Sequence, residues 1–350
     1  MKPLSDQVVV VTGASSGIGR ESALLLAERG ARVVLASRNR EALETLADEI
    51  RAGGGECAVA PADVTSWRQM QDLAAQAVSA FGRIDTWVNG AAVSLYARVE
   101  DAEVDEIERV IQVGLLGYVY GMKAALPHLV ASGGTIINIS SIAAVRPIPL
   151  QAPYSASKAA VKAFGDALRL ELEHDERGVA VTTILPASIN TPFFAHARSK
   201  LGAMAGPFPP VYEPRTVAEA IAFCAEHPRR DVFVGGAAKL IALQQKLMPA
   251  LTDWLLLRAK VFERQQTDRS PDGDIFFEAS SGPGSSAGDF RPAIPVSPYT
   301  RYIELSRLRG TLPLLAGAAG AAFAVVRRLR GSPDSDIGEG RDQPGADRTG

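Results

Sequence analysis

The chain has 350 residues, with 37 lysines and arginines against 39 aspartates and glutamates, and a formal net charge of −2. This balance gives no sign of the clustered basic surface that nucleic-acid binding requires, so we expect no nucleic-acid partner. Because 47% of the residues are hydrophobic, the chain can bury the core of one large α/β domain followed by a tail.

Cysteine usage and the N-terminus both point to a reducing compartment. Cys57 and Cys224 are far apart and follow no metal-binding or redox spacing, so we expect small buried side chains and no metal site. The N-terminus enters a strand-like segment almost at once, without the long apolar region of a secretory signal. We therefore expect a cytoplasmic protein.

Short apolar, β-branched runs alternate with helix-like stretches between residues 7 and about 240. The predicted strands cover residues 8–11, 32–37, 56–61, 86–89, 135–139, 180–185 and 232–234. The predicted helices between them include residues 20–28, 40–51, 67–81 and 158–173. Several strands are apolar throughout, as expected when helices cover both faces of a parallel sheet. The alternation predicts an α/β fold with a doubly wound parallel sheet of the Rossmann type, seven strands and helices on both faces.

The composition changes near residue 240, which predicts that the Rossmann-type domain spans residues 1–240. Residues 241–267 are typical of a helical extension around Pro249. Residues 268–298 are rich in Ser, Pro and Gly and are predicted to form a disordered linker. An apolar helix is predicted within residues 299–330, and a disordered polar tail over residues 331–350.

Residues 311–326 carry no charge and are flanked by arginines. A membrane-spanning helix needs about 20 apolar residues, so this stretch is a little short. Its Gly317 and Gly320 could pack closely against another helix, and the arginines suit lipid headgroups. Three interpretations stay open: membrane contact, docking on the main domain or on a partner subunit, and a weakly ordered tail.

A glycine-rich turn follows the first predicted strand and opens the first helix. Gly13, Gly17 and Gly19 permit a tight turn that lets the backbone approach a pyrophosphate. Free N–H groups and the helix dipole favour negative charge at this point. Because the turn lies at the first βα junction, it strongly indicates a dinucleotide site. The residues assigned to the cofactor in this turn are Gly13, Ser15, Ser16, Gly17, Ile18 and Gly19.

The end of the second strand indicates which dinucleotide binds. A site that selects NAD normally has an Asp or Glu there for the ribose 2′-hydroxyl, whereas this chain has Ser37 and then Arg38. A guanidinium can hold a 2′-phosphate through two hydrogen bonds, which favours NADP(H). The alternative is a solvated arginine at a helix start, and Arg20 or Arg40 could share the phosphate.

Tyr154 and Lys158 are four residues apart near a predicted helix start, which places them on one helix face. An ammonium close to a phenol favours the phenolate, so we expect Lys158 to lower the pKa of Tyr154 from about 10. Tyr154 would then act as a general acid–base. Ser141 ends the preceding strand, at the sheet edge where such folds bind ligands. Together with the glycine turn, these three residues predict a catalytic site.

These motifs resemble the short-chain dehydrogenase/reductase superfamily over about residues 5–240. The resemblance is carried by the segments TGASSGIG and YSASK, by Asp63-Val64, Asn89 and Ser141, and by residues 186–191. It implies hydride transfer between NADP(H) and a carbonyl or alcohol, with Ser141 orienting the substrate, Tyr154 transferring the proton and Lys158 holding the nicotinamide ribose. The further cofactor contacts that it implies are Asp63, Val64, Asn89, Gly90, Ala91, Tyr154, Lys158, Pro186, Ala187, Ile189 and Thr191. It also implies a homo-oligomer, because the family commonly forms dimers or tetramers.

Gly114 departs from the family pattern, which commonly has an asparagine there in the proton relay behind the lysine. Glycine offers no side chain for this relay and costs roughly 1 kcal/mol inside a helix relative to alanine. A water or Gln112 could replace the asparagine. The departure keeps open a second interpretation, a low-activity or non-catalytic NADP(H)-binding interaction protein.

Residues 193–212 follow the sixth predicted strand, where a substrate lid is expected. Their Phe, Met and Pro content indicates an apolar pocket and hence a hydrophobic substrate. The alternative is a surface loop that folds over the core for its own packing. The sequence specifies neither the substrate nor the physiological direction of the reaction.

Overall fold

The structure is a computed structural model that describes residues 1–271 and 274–306. The strands in chain order are β1 (Val8–Thr12), β2 (Arg32–Ala36), β3 (Cys57–Val59), β4 (Thr86–Asn89), β5 (Leu95–Tyr96), β6 (Thr135–Ile139), β7 (Ala180–Pro186), β8 (Ser188–Ile189), β9 (Arg198–Ser199), β10 (Val211–Tyr212) and β11 (Asp231–Val234). The helices are α1 (Gly17–Glu28), α2 (Arg40–Ala52), α3 (Trp67–Phe81), α4 (Val104–Ile111), α5 (Gly117–Ser132), α6 (Ala152–His174), α7 (Pro214–Glu226), α8 (Gly236–Leu247) and α9 (Pro249–Arg258).

Seven strands form one parallel sheet in the order β11–β7–β6–β4–β1–β2–β3. The chain builds outward from β1 through β2 to β3, then returns to place β4 on the other side of β1. This reversal leaves a crevice at the carboxyl ends of β1 and β4, where open α/β sheets bind ligands. The predicted doubly wound fold with seven strands is confirmed.

Helices cover both faces of this sheet because its strands are apolar on both sides. In β1, Val9 and Val11 pack in the core formed with α1, α2 and α7. Val8 and Val10 pack in the opposite core, formed with α3, α5 and α6. All four valines are fully buried, so the sheet is rigid at the position where the glycine turn leaves it.

Two short parallel strand pairs lie apart from the main sheet. β5 pairs with β9, and β8 pairs with β10. The β5–β9 pair ties the loop after β4 to the segment after β7, and the β8–β10 pair joins two parts of that segment. Loops that supply binding residues are thereby held by main-chain hydrogen bonds.

The prediction of a disordered linker over residues 268–298 differs from the structure. Phe276 in this segment is fully buried, in the core that α3, α5 and α6 also form. The described residues up to Leu305 belong to one compact unit, which includes the predicted extension 241–267. Composition predicted disorder because Ser, Pro and Gly dominate the segment, whereas the structure packs Phe276 into the core and pairs several of the segment's main-chain groups with the rest of the domain.

None of the helices within residues 1–271 and 274–306 combines the length and apolar character that crossing a membrane requires. The apolar stretch 311–326 and the predicted tail 331–350 lie outside the described residues. Membrane contact and homo-oligomer formation therefore stay predictions.

Candidate active site

A cleft opens at the carboxyl edge of the main sheet, beside the glycine turn and the start of α6. With the exception of Asn89, every residue predicted for the site lines it. The predicted residues in its lining are Gly13, Ser15, Ser16, Gly17, Ile18, Gly19, Ser37, Arg38, Asp63, Val64, Gly90, Ala91, Ser141, Tyr154, Lys158, Pro186, Ala187, Ile189 and Thr191. The fold therefore brings together residues that are almost 180 positions apart in the sequence.

Asn89 lies beneath the cleft and not in its lining. Its side chain accepts a hydrogen bond from Trp87 Nε1 at 2.9 Å and donates one to Asn138 Oδ1, also at 2.9 Å. It is 1% exposed. Asn89 thus joins β4 to β6 below the site, which agrees with the predicted support of the central strand but not with a direct cofactor contact.

The glycine turn can be built only from glycine at two positions. A Cβ on Gly19 would lie 2.2 Å from the carbonyl oxygen of Gly13. Gly13 has a φ of +73°, and a Cβ there would lie 2.7 Å from the backbone nitrogen of Ala91. The backbone of the turn is therefore bare and packed closely, as a cradle for a pyrophosphate requires.

Arg38 lies at the end of the cleft next to β2, beside Asp63 and Arg109. Burial lowers the pKa of Arg38, the charge of Arg109 lowers it further, and Asp63 opposes both. Burial raises the pKa of Asp63, but hydrogen bonds from Thr65 and the two nearby arginines hold it below its usual value. Two cations with one carboxylate give this end of the cleft a net positive charge, which suits a phosphate.

Residues 274–290, here named the strap, cross the cleft at this end. Arg38 donates hydrogen bonds to the main-chain oxygens of Ile275 at 2.6 Å, Phe277 at 2.7 Å and Glu278 at 3.1 Å. The Nε of Arg109 donates to the Phe276 oxygen at 2.9 Å. The arginine predicted to hold a 2′-phosphate therefore holds strap carbonyls in this structure.

The strap continues from Arg38 over the glycine turn. The N–H of Gly17 donates to the carbonyl of Ser285 at 2.8 Å. Gly284 packs so closely that a Cβ on it would lie 2.1 Å from the Ser15 oxygen. The strap thus follows the same path along the cleft as the predicted dinucleotide.

Tyr154 is half-buried in the cleft next to Ser141. Burial raises the pKa of Tyr154 to about 12, and a hydrogen bond with Ser141 opposes this shift. The Ser141 hydroxyl also accepts a hydrogen bond from the N–H of Ala143 at 3.1 Å, which fixes its position. The ring of Phe193 lies 5.4 Å from the Tyr154 ring, centroid to centroid, and forms an apolar wall.

Lys158 does not lower the pKa of Tyr154 as the sequence predicted. Its Nζ lies 5.7 Å from the centre of the Tyr154 ring. It donates hydrogen bonds to the Tyr118 hydroxyl at 2.8 Å and to the Ile139 oxygen at 2.9 Å. Because Lys158 is only 2% exposed, burial lowers its own pKa to about 7. The Nζ of Lys158 is thus directed at Tyr118 and Ile139 and does not contribute to the pKa of Tyr154 in this structure.

Gly114 lies where α6 packs against the turn Gln112–Leu116 that precedes α5. A Cβ on Gly114 would lie 2.7 Å from Ser157 Oγ. That hydroxyl donates to the main-chain oxygen of Tyr154 at 2.8 Å. Glycine at this position lets the helix that carries Tyr154 and Lys158 approach closely.

Among the site residues that sequence reasoning missed are Ser94, Tyr96 and Tyr118. Tyr118 follows Gly114 by one helical turn, so its spacing could have indicated a role beside Lys158. Ser94 and Tyr96 carry no such signal, because their places depend on the pairing of β5 with β9. All three line the cleft.

A family model described as short chain dehydrogenase matches residues 7–202, more than half of the chain. The chain belongs to the short-chain dehydrogenase family. It is therefore an oxidoreductase by family, and the match includes the glycine turn, Ser141, Tyr154 and Lys158.

Relatives of this short-chain dehydrogenase include proteins described only as oxidoreductases. The uncharacterized oxidoreductase YxnA of Bacillus subtilis (strain 168) is 41% identical over 272 residues, which cover 77% of this chain and 76% of the relative. The uncharacterized oxidoreductase SAR2567 of Staphylococcus aureus (strain MRSA252) is 37% identical over 234 residues, covering 65% of this chain and 95% of the relative. Their similarity supports the family but names no substrate.

A solved structure gives a similar fold. An alcohol dehydrogenase from the archaeon Thermococcus sibiricus, complexed with 5-hydroxy-NADP, superposes with a TM-score of 0.58 at 26% identity. The match covers 65% of this chain and 95% of the archaeal chain. That protein binds an NADP derivative in the same type of fold.

Proposed function

We propose that this short-chain dehydrogenase uses NADPH to reduce the carbonyl group of a neutral, largely apolar substrate. The observation that carries the proposal is the convergence of Ser141, Tyr154 and Lys158 in one cleft with the glycine turn. The apolar wall at Phe193 supports an apolar substrate. The archaeal neighbour's NADP derivative and the arginine at position 38 support NADP(H) over NAD(H).

The residues present fit a dinucleotide. Once the strap is displaced, the bare turn at Gly13 and Gly19 would cradle a pyrophosphate, and Arg38 with Arg109 gives a cationic end for the 2′-phosphate. When bound, NADPH supplies the hydride. Ile189 and Thr191, which also line the cleft, would hold the carboxamide.

Tyr154 is the proton donor in this proposal. With a pKa near 12, it carries its proton at neutral pH and can donate it to the carbonyl oxygen as negative charge develops there. The Ser141 hydroxyl, fixed by the Ala143 N–H, would orient the same oxygen. A protonated phenol suits carbonyl reduction, whereas alcohol oxidation needs the phenolate.

Lys158 would hold the nicotinamide ribose. The Tyr118 hydroxyl and the Ile139 carbonyl already position its ammonium. The Tyr118 hydroxyl, which contacts Lys158, would supply to the proton relay the side-chain group that Gly114 lacks. This favours a catalytic role over the non-catalytic interpretation that Gly114 had kept open.

NADPH oxidation by the full chain over a panel of apolar ketones and aldehydes tests the proposed function. We expect turnover with several members of the panel near neutral pH. Measurable NADPH binding without turnover on any of them would instead support the non-catalytic cofactor binder.

Replacing Arg38 by alanine tests the choice of cofactor. We expect NADPH to bind roughly tenfold to a hundredfold more weakly, because a charge-assisted contact to the 2′-phosphate is lost. NADH is the matched control, since it lacks only that phosphate. Its affinity should not fall, and it should rise to the extent that the strap released from Arg38 competes with the cofactor. Tighter binding of NADH than NADPH by the unmodified protein, with both affinities unchanged in Arg38→Ala, would contradict the assignment.

The strap also bears on cofactor binding, because carbonyl and phosphate oxygens both accept hydrogen bonds and compete for the donors of Arg38. We propose that bound NADP(H) displaces the strap from Arg38 and Gly17. Gly284→Ala should then strengthen NADPH binding, roughly threefold to tenfold, because its Cβ collides with Ser15 and destabilises the strapped state.

Gly282→Ala is the matched control for this change. Gly282 and Gly284 both have positive φ, +86° and +73°, but a Cβ on Gly282 would meet no atom within 4 Å. Both variants carry backbone strain, and only Gly284→Ala disturbs the contact with the glycine turn. Weaker NADPH binding in Gly284→Ala than in Gly282→Ala would show that the strap closes over the cofactor instead of competing with it.

A further inference from the structure

Two buried hydroxyl groups in the cleft have no hydrogen-bond partner among the described residues. They are Ser94 Oγ and Tyr96 Oη. Ser94 is 1% exposed and Tyr96 is fully buried. Both residues line the cleft that contains Tyr154 and Ser141. The catalytic role proposed above uses neither of them.

The backbone holds these two residues firmly in place. The Ser94 oxygen accepts a hydrogen bond from the N–H of Arg198 at 3.0 Å, and the Tyr96 oxygen accepts one from Lys200 at 2.9 Å. Because the residues are two apart in an extended segment, their side chains point to the same side. The main-chain bonds therefore fix the positions of both residues relative to the cleft.

The ring of Tyr96 lies close to the reaction site. It packs in a cluster with Phe194, Ala197 and Ala205, and Phe193 packs against that cluster. Phe193 also contacts the ring of Tyr154. The charge of a Tyr154 phenolate is close enough to raise the pKa of Tyr96, although burial is the larger cause. Tyr96 therefore remains a neutral phenol that can donate a hydrogen bond.

An unpartnered buried hydroxyl costs free energy that a bound ligand can recover. We infer that Ser94 and Tyr96 form a polar subsite that binds a second oxygen atom of the substrate, apart from the carbonyl that reacts. This inference rests on the proposed function. It defines the substrate class as an apolar carbonyl compound that also carries a hydroxyl, keto or ether oxygen.

The charges in the cleft indicate that this second group is neutral. Among the described lining residues, the lysines and arginines are Arg38, at the cofactor end, and Lys158, which Tyr118 and Ile139 hold. His196 also lines the cleft, but burial lowers its pKa below its ordinary value, so it is uncharged at pH 7. A carboxylate at the subsite would lose its hydration without gaining a cation. A hydroxyl or a second carbonyl fits better.

The test compares plain medium-chain ketones with hydroxyketones and diketones of the same chain length. In this series each compound carries the second oxygen on a different carbon. Binding to the NADP⁺-loaded full chain is measured by calorimetry, and turnover with NADPH is measured in parallel. We expect at least one oxygenated member to bind about tenfold more tightly than its plain partner. In Tyr96→Phe this preference should fall threefold or more, while binding of the plain ketone stays unchanged.

Three further measurements distinguish loss of the subsite from a folding defect and from an unspecific effect of replacing a tyrosine. Tyr96→Phe should keep or raise the melting temperature, because it removes an unpartnered hydroxyl. Ser94→Ala should reduce the same preference, which guards against a fold defect in the first variant. Tyr120→Phe, a half-buried tyrosine on α5, should change nothing.

The binding experiment decides whether the subsite exists. Equal binding of plain and oxygenated ketones would overturn it, even if the plain ketones are turned over and the proposed reductase stands. A preference that Tyr96→Phe removes, without turnover of any member, would leave the subsite standing and refute the reductase.

Discussion

Tyr154→Phe is expected to lower kcat for NADPH-dependent carbonyl reduction by about a thousandfold, because general acid catalysis contributes roughly a hundredfold to ten-thousandfold. The change removes only the hydroxyl that donates the proton. The phenylalanine ring can keep its contact with Phe193, 5.4 Å away between centroids, so the fold should be unaffected. Single-turnover kinetics with a ketone from the active part of the panel measures the loss.

The NADPH dissociation constant separates a chemical defect from a binding defect in this variant. It should change less than threefold, since Tyr154 is not the residue that holds the phosphates. Tyr120→Phe, also a half-buried tyrosine, is the matched control and should keep full activity. Retention of more than a tenth of the activity in Tyr154→Phe would show that another group supplies the proton.

Lys158→Met is expected to abolish most of the activity and yet to stabilise the fold. The lysine is buried, and no carboxylate contributes to its pKa, which burial lowers from 10.5 to about 7. Removing a charge that is costly to bury should raise the free energy of unfolding by roughly 2–5 kcal/mol at pH 6. Chemical denaturation at several pH values measures this gain.

The pH dependence of this gain has a defined sign. Between pH 7 and pH 10.5 the unfolded wild-type chain binds the lysine proton and the folded protein does not, so wild-type stability rises with pH in that window. The advantage of Lys158→Met should therefore be largest below pH 7 and shrink towards pH 10.5. A variant less stable than wild type at pH 6 would show that Tyr118 and Ile139 fully compensate the charge.

Lys162→Met is the matched control for Lys158→Met, because Lys162 lies one turn further along α6. Its Nζ is 2.7 Å from Asp166 and 3.2 Å from Asp231, so this lysine is paired with carboxylates. Its replacement should lower stability slightly and leave kcat unchanged. A gain in stability for Lys158→Met together with a loss for Lys162→Met would confirm that Lys158 destabilises the fold because it is buried without a carboxylate partner.

The sheet was predictable because each strand carries its own local signal. The apolar runs at β1, β4 and β6 differ from the structure by one residue at most. The glycine turn was equally clear, since only glycine tolerates the 2.2 Å approach that position 19 requires. In both cases a local sequence property decides the structure.

The strap and the state of Lys158 could not be predicted, because both depend on contacts between distant segments. Phe276 is buried in a core built mainly by residues before 182, and Arg38 binds carbonyls almost 240 positions away. The predicted effect of Lys158 on Tyr154 failed because burial and Tyr118 act on the lysine more strongly than helical spacing suggested. The spacing of two residues on a helix places their side chains near each other, but it does not determine which groups the lysine Nζ contacts.

Transfer of deuterium from labelled NADPH to the substrate is the most direct test of the proposed carbonyl reduction. NADPH labelled with deuterium on the transferable position of nicotinamide C4 is incubated with the full chain and an apolar hydroxyketone, and the product is examined by mass spectrometry and NMR. We expect one deuterium on the new carbinol carbon, and about a thousandfold less labelled product in the Tyr154→Phe sample after the same time. Binding of the labelled NADPH with no deuterium in any product of the panel would contradict the account and identify the protein as a cofactor binder without reductase activity.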